Sequence, residues 1–464
     1  MIQLRHAQPT LWHKGLAKDI EDLWEPWRKE ADRLLDDAAL LETIYEAQGQ
    51  RYRHSRTLGR LQTPAEIALR LLILKHVRHW GYDTLEREVR ANLVYRAFTR
   101  IGDGKVPDAK TLARMGQVIG PEVIRDLHER LVAMAREHGV VKGRKLRVDT
   151  TVVETNIPYP TDSSLLGDGA RVLTRTMKKI EKAGGLKQRI RDRMRTVKKR
   201  VVAIALATRQ TGPQREERQR QQYAELLTVT RRILNQAKGV LQEVEQLARP
   251  RRRHLQPLTK KLGTMADRVR QVVSQTRARV FQKVTHYPRK IVSVFEPHTE
   301  IIRKGKASKP TEFGKLVEVQ EAENQIITNF RVFAERPSDQ HLLVPAVEEH
   351  QRRFGRVPRL VAADAGFYSQ ANEKKVQEMG VSWIAIPNRR THSAERRALQ
   401  KRRWFRAAQK WRTGSEGRIS VLKRRHGLNR CRYRGLPGME RWVGLGVIAD
   451  NLIQIGTHLA LQSA

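Results

Sequence analysis

The run Leu360-Val-Ala-Ala363 ends on Asp364, and Gly366 follows two residues later. An apolar run bounded in this way reads as a short strand buried on both faces. A carboxylate at its end is held by a rigid element, while the loop beyond stays open to a substrate. A lone aspartate there is commonly a cap or turn residue, so Asp364 acquires chemical meaning only with partners. The chain supplies two, Asp149 and Glu416.

Asp149 lies in Lys145-Leu-Arg-Val-Asp-Thr-Thr-Val-Val-Glu154, whose β-branched residues and alternating Leu146, Val148 and Val152 predict a strand. Ile291 to Phe295 is a further strand candidate. Phe313 to Gln320 and Gln325 to Phe333 alternate on either side of a polar turn and predict a β-hairpin. A helix then runs from Pro337-Ser338-Asp339 to about Arg353, ahead of the strand ending at Asp364. A helix from about Ser369 to Met379, the strand Val381 to Pro387 and an apolar helix over Val443 to Leu461 complete the order. An antiparallel opening continued through crossover helices is the ribonuclease H-like α/β pattern, a mixed sheet. It makes the strands of Asp149 and Asp364 adjacent and central.

Glu416 comes 52 residues after Asp364, in Arg412-Thr-Gly-Ser-Glu416-Gly-Arg-Ile-Ser-Val-Leu-Lys423. Gly414-Ser415 suggests a helix start, after which Glu416, Ile419, Ser420 and Lys423 share one face. Carboxylates brought together repel one another and favour a divalent cation between them. Three carboxylates holding two Mg²⁺ ions, or Mn²⁺ in their place, suit phosphodiester chemistry: one ion activates a water or 3′-hydroxyl and the other stabilises the leaving oxygen. Rivals for the third acid are weaker. Glu154 follows Asp149 by an odd number and points to the opposite face of a regular strand. Asp450, within an apolar helix, reads as a helix-face or packing residue; Glu440 is the other candidate, and His426 reads as a surface histidine.

Charge identifies the partner. The chain carries +42 formally, with 91 Lys and Arg against 49 Asp and Glu, and self-repulsion on that scale calls for a polyanion, nucleic acid before an anionic membrane. Between Arg171 and Thr285 there are 31 Lys and Arg but 8 Asp and Glu, leaving +23 of that total. Apolar residues recur there at helical spacing, with breaks at Gly184-Gly185, Thr211-Gly212-Pro213 and Pro250 ahead of Arg251, Arg252 and Arg253, so a helical insertion that grips a DNA backbone is expected. Residues 1 to about 139 also read as helical. Leu16 to Gln48 is apolar at helical spacing, and Thr63-Pro64-Ala65-Glu66 has the form of a capping box opening a helix from Ile67 to about Trp80. Gly81 then stops that helix and Asp83 or Thr84 caps the next. Tight glycine-bearing turns suit a helix-turn-helix, with Lys110, Thr111 and Arg114 facing a groove or, on the plainer reading, solvent. The single cysteine, Cys431, excludes an internal disulfide and a Cys-rich zinc site. No membrane span and no secretory signal are evident, so the expected location is the cytoplasm, on the nucleoid.

The motifs Val148-Asp149-Thr150-Thr151-Val-Val-Glu154, Phe313-Gly314-Lys315, Ala363-Asp364-Ala-Gly-Phe-Tyr368-Ser and Arg412-x₃-Glu416-x₆-Lys423 resemble the core of bacterial insertion-sequence transposases of the Asp-Asp-Glu (DDE) type. The resemblance covers about 60 to 140, 145 to 165 and 310 to 460. It implies a ribonuclease H-like core with Asp149, Asp364 and Glu416 as catalytic metal ligands, and Arg412 and Lys423 on DNA near the scissile phosphate. Gln409 stands where the family often has tyrosine, and Ala365 where lysine more usually precedes the glycine. The expected organisation is a helical DNA-binding domain over 1–140, the catalytic core over 141–167 and 289–464, and the basic insertion over 168–288. The expected activity is cleavage at the terminal inverted repeats of an element and joining of the 3′ ends to target DNA, by an assembly of two or more copies. A catalytically silent DNA-binding derivative and a metal-dependent endonuclease are the alternatives.

Overall fold

The computed structural model describes residues 1–5, 20–51, 54–58, 61–212, 214–303 and 310–463; the expected helical residues 16–19 and the break at Pro213 lie outside them. The chain divides into two units, Met1–Asn156 with Gly314–Ala464, and Ile157–Phe313. In chain order the strands are β1 (Lys145–Thr155), β2 (Glu300–Ile302), β3 (Glu312–Glu321), β4 (Ile327–Val332), β5 (Leu360–Ala362), β6 (Trp383–Ala385) and β7 (Arg430–Cys431).

In the first unit β1 is the central strand. It pairs antiparallel with β3 and parallel with β5, and its last residues pair parallel with β7. β4 completes the expected hairpin with β3, and β6 runs parallel to β5. The hairpin turns through Asn324 and Gln325, both with positive φ, and Gly314 is required where β3 meets β1, because a side chain there would strike the Val153 carbonyl. The result is the mixed α/β sheet expected. Alternation along β1 then sorts its residues. Leu146 and Val148 pack with Val347, Val361 and Phe367 under the Leu343–Phe354 helix. On the other face Arg147 meets Trp411 and Val153 packs near Leu422, both from the Arg403–Arg425 helix. The last long helix, Gly435–Ser463, buries Trp442, Val443 and Val447 against that region and Leu445, Leu452 and Ile455 against the N-terminal helices.

Several local expectations change. The apolar stretch ending at Gln48 is two helices, Pro26–Leu34 and Ala38–Gly49, the second capped by the Asp37 carboxylate. No capping box forms at Thr63: the helix Ala65–Val77 has Pro64 at its N-cap, without a side-chain cap. The next helix, Tyr82–Ala91, is preceded by Gly81 rather than capped by Asp83 or Thr84. The helix carrying Lys110, Ala109–Val118, follows Leu93–Phe98 only after ten residues, so it is not entered through a tight helix-turn-helix turn. Ile291 to Phe295 is not a strand.

In the second unit the described residues form four helices, Asp162–Gly184, Met194–Arg209, Arg215–Glu245 and Arg249–Phe281. The first begins ahead of residue 168, where the insertion was expected to start, because Thr161 and Ser164 form a capping box. Leu173, Met177, Leu226, Ile233, Leu262 and Val269 form a common core, and Gly169 allows the first helix to approach Val269 closely. Pro250 sits in the first turn of the fourth helix, directly after the break that follows Glu245, so the arginine run opens that helix.

Candidate active site

Asp149 and Asp364 are brought together by strand register. Arg147 pairs with Ala362 across parallel strands, so two residues further on Asp149 and Asp364 stand level and on the same face. Each carboxylate is held by its own backbone turn. Asp149 Oδ1 accepts from the Thr150 amide at 2.7 Å, and Asp364 Oδ1 accepts from the Gly366 amide at 2.8 Å. Asp149 also accepts from Ser415 Oγ at 2.9 Å. Burial pushes the Asp149 carboxyl above its ordinary range; the Ser415 and Thr150 donors oppose this, the Asp364 charge adds to it, and Arg412 lowers it.

Glu416 approaches from the Arg403–Arg425 helix. Gly414-Ser415 does not start that helix, as expected, but lies well inside it. Gly414 is a packing glycine, since a Cβ there would be 2.5 Å from Arg147 Nη1. Arg147 locks the helix to the sheet: its guanidinium pairs with buried Glu321, donates to the Trp411 carbonyl and lies over the Trp411 ring. Gln409, where tyrosine was noted as usual, donates to the carbonyls of Ala363 and Ala385 and so ties the helix to the ends of β5 and β6. The Glu416 side chain is 64% exposed and is bound at 3.0 Å by Arg412 Nη2, while Arg412 Nη1 stands 3.7 Å from Asp149 Oδ2. One guanidinium thus bridges the strand acid and the helix acid.

The rival acids have other partners. Asp450 is fully buried, with Arg418 at 2.8 Å and His426 at 3.5 Å, so His426 is a core residue rather than a surface one. Glu154 faces Arg430 at 3.7 Å and Glu440 faces Arg125 at 3.7 Å. Sequence reasoning missed Asp339, read only as part of a helix start. Its Oδ1 accepts from Thr150 Oγ at 3.4 Å, and a Cβ on Gly366 would lie 3.2 Å from Asp339 Oδ2 and 3.1 Å from Asp364 Oδ1. No local pattern marks it, since Thr150 and Asp339 are 189 residues apart and meet only in the folded chain.

Of the residues expected on DNA, Lys423 lies seven residues after Glu416 on the same helix and is half-buried. Lys110 and Arg114 are exposed, but the Thr111 hydroxyl is bonded to Asp108 at 3.0 Å and serves the helix cap. Arg251, Arg252 and Arg253 are exposed in the first turns of their helix, where the helix dipole disfavours cations.

Among the described residues no helix is long and apolar enough to cross a membrane. A family model described as the transposase DDE domain matches residues 289–452, and one described as a transposase domain (DUF772) matches residues 23–117. The first match contains Asp364 and Glu416; Asp149 lies outside both. No curated protein and no solved structure matches the chain.

Proposed function

Because the chain belongs to the DDE-type insertion-sequence transposases, we propose that Asp149, Asp364 and Glu416 are the carboxylates with which it processes DNA. The reading is of a ribonuclease H-like core that binds the terminal inverted repeats of an element. It cuts there to leave 3′-hydroxyls and transfers them to target DNA by in-line displacement. The observation that supports it is that strand register aligns Asp149 with Asp364 and that Arg412 pairs with both Asp149 and Glu416.

Transposases of this type work with divalent metal ions. Among the described residues no group of three or more His, Cys, Asp and Glu side chains is arranged to hold one. The donors nonetheless fit a hard cation such as Mg²⁺ or Mn²⁺, being carboxylate oxygens. Asp149 and Asp364 would hold it, and Glu416 joins them when its side chain leaves Arg412. Bound there, a pair of such ions supplies activation of the attacking hydroxyl and stabilisation of the leaving oxygen. Ser415 and the Thr150 amide keep Asp149 oriented, and the Gly366 amide does so for Asp364. Arg412 balances two carboxylates, and on this reading it turns to a backbone phosphate when Glu416 leaves it. Arg251, Arg252 and Arg253, unfavourable where they stand in a helix, are stabilised by DNA phosphates, as are Lys110 and Arg114. Holding two element ends at once requires at least a dimer.

The test incubates the protein with Mg²⁺ or Mn²⁺ and labelled duplexes carrying the ends that flank its gene. Cuts leaving 3′-hydroxyls at the ends, together with joined products, support the reading. Cutting without joining supports an endonuclease, and tight binding with neither supports a silent DNA-binding derivative.

A further inference from the structure

The Arg403–Arg425 helix has a face that the sheet does not use. Arg403, Arg406, Lys410, Gly417 and Arg424 are spaced by three, four, seven and seven residues, which places them on one stripe, and all are exposed. Among the described residues no carboxylate pairs with Arg403, Arg406, Lys410 or Arg424. This differs from the rest of the site, where Arg147, Arg412 and Arg418 each have an acidic partner.

Gly417 is the informative member. Glycine in a helix interior destabilises the helix relative to alanine, so it needs a reason. Gly414, three residues earlier, has one in Arg147. Gly417 has neither a positive φ nor a neighbour, since a Cβ there would meet nothing within 4 Å. The fold therefore tolerates a side chain at 417, and the space before it is free for something outside the chain. That space adjoins Glu416 and is lined by unpaired cations.

We propose that the phosphodiester backbone of duplex DNA runs along this stripe, with its closest approach at Gly417 and its phosphates paired to Arg403, Arg406, Lys410 and Arg424. The inference rests on the DNA-processing reading and deepens it, because it places the backbone on a particular helix face. Positive charge there attracts the polyanion, and the missing side chain lets it come close to the acidic site.

The experiment measures binding of a fluorescent duplex by the full chain across a salt series, with Gly417→Gln, Gly417→Ala and the pair Arg406→Gln/Lys410→Gln. Both glycine variants are expected to melt at or above the wild-type temperature. Gly417→Gln should bind at least about tenfold more weakly, and Gly417→Ala less so, from loss of close backbone contacts. The double variant should flatten the salt slope by about 2, one phosphate per cation. Wild-type affinity and slope in Gly417→Gln and in the double variant, with the wild-type chain binding and cutting DNA, overturn the stripe and leave the function standing. Failure of the wild-type chain to bind any duplex overturns both.

Discussion

Arg147→Met removes the guanidinium that fastens the helix of Glu416 to the sheet. Arg147 and Glu321 are 5% and 1% exposed, so the substitution strands a buried carboxylate. Breaking a buried pair in this way costs about 3–5 kcal/mol. Loss of the cation over the Trp411 ring, 4.9 Å away, adds about 0.5–1 kcal/mol. The second substitution Glu321→Leu should recover most of this, leaving the double variant within about 1–2 kcal/mol of the parent, because no charge is then stranded. Acidity should modulate the single variant. Burial already pushes the Glu321 carboxyl up, against the Arg147 hydrogen bond, and losing Arg147 pushes it further. A carboxyl raised in the folded state contributes stability at low pH that is lost as the pH rises through its folded pKa. Arg147→Met should therefore be less destabilised near pH 5 than near pH 8. Urea unfolding of the parent, both single variants and the double variant at the two pH values measures all of this. A loss below about 1 kcal/mol in Arg147→Met, or a double variant as unstable as the single one, refutes the reasoning.

Lys75 is buried with its ammonium 4.9 Å from the Tyr82 and Trp442 rings and 5.1 Å from Tyr433, and burial, helped by the Arg432 charge, pulls its pKa down to about 7. Between about 7 and 10.5 the unfolded chain binds the extra proton, so stability should rise with pH there by up to about 1.4 kcal/mol per unit. Lys75→Met should flatten that rise, as judged by urea midpoints near pH 7 and pH 9.5. Ser415→Ala removes one of the two donors holding Asp149 and should lower the DNA cleavage rate about tenfold, with folding stability changed by no more than about 1–2 kcal/mol. An unchanged single-turnover rate contradicts the positioning role given to Ser415.

The sheet was legible because alternation is a local signal. Leu146 and Val148 against Arg147 and Asp149, and the apolar run before Asp364, suffice to place the two aspartates on neighbouring strands. Glycine misled at one point. Gly414 was taken for a helix start although it only makes room for Arg147, a residue from a distant strand that no local window reveals. Asp339 escaped notice for a related reason, since its relation to Asp364 exists only after the hairpin and the Leu343–Phe354 helix have packed. His426 was read as a surface histidine, whereas it is buried with the Asp450 carboxylate 3.5 Å away. Thr111 was read as facing a groove or solvent, whereas its hydroxyl is bonded to Asp108, three residues earlier. The basic insertion was readable as helices from periodicity, although its first helix begins earlier than charge alone suggested, at the Thr161 cap.

The central claim is that Asp149, Asp364 and Glu416 act as one catalytic set. The most direct test compares Asp149→Asn, Asp364→Asn and Glu416→Gln in single-turnover cleavage of labelled element ends, with duplex binding measured in parallel. The account predicts that each variant binds the ends about as well as the parent and that none cuts them. A Glu416→Gln chain that cuts at the parental rate would contradict it, leaving the two strand aspartates without the helix acid that Arg412 holds beside them.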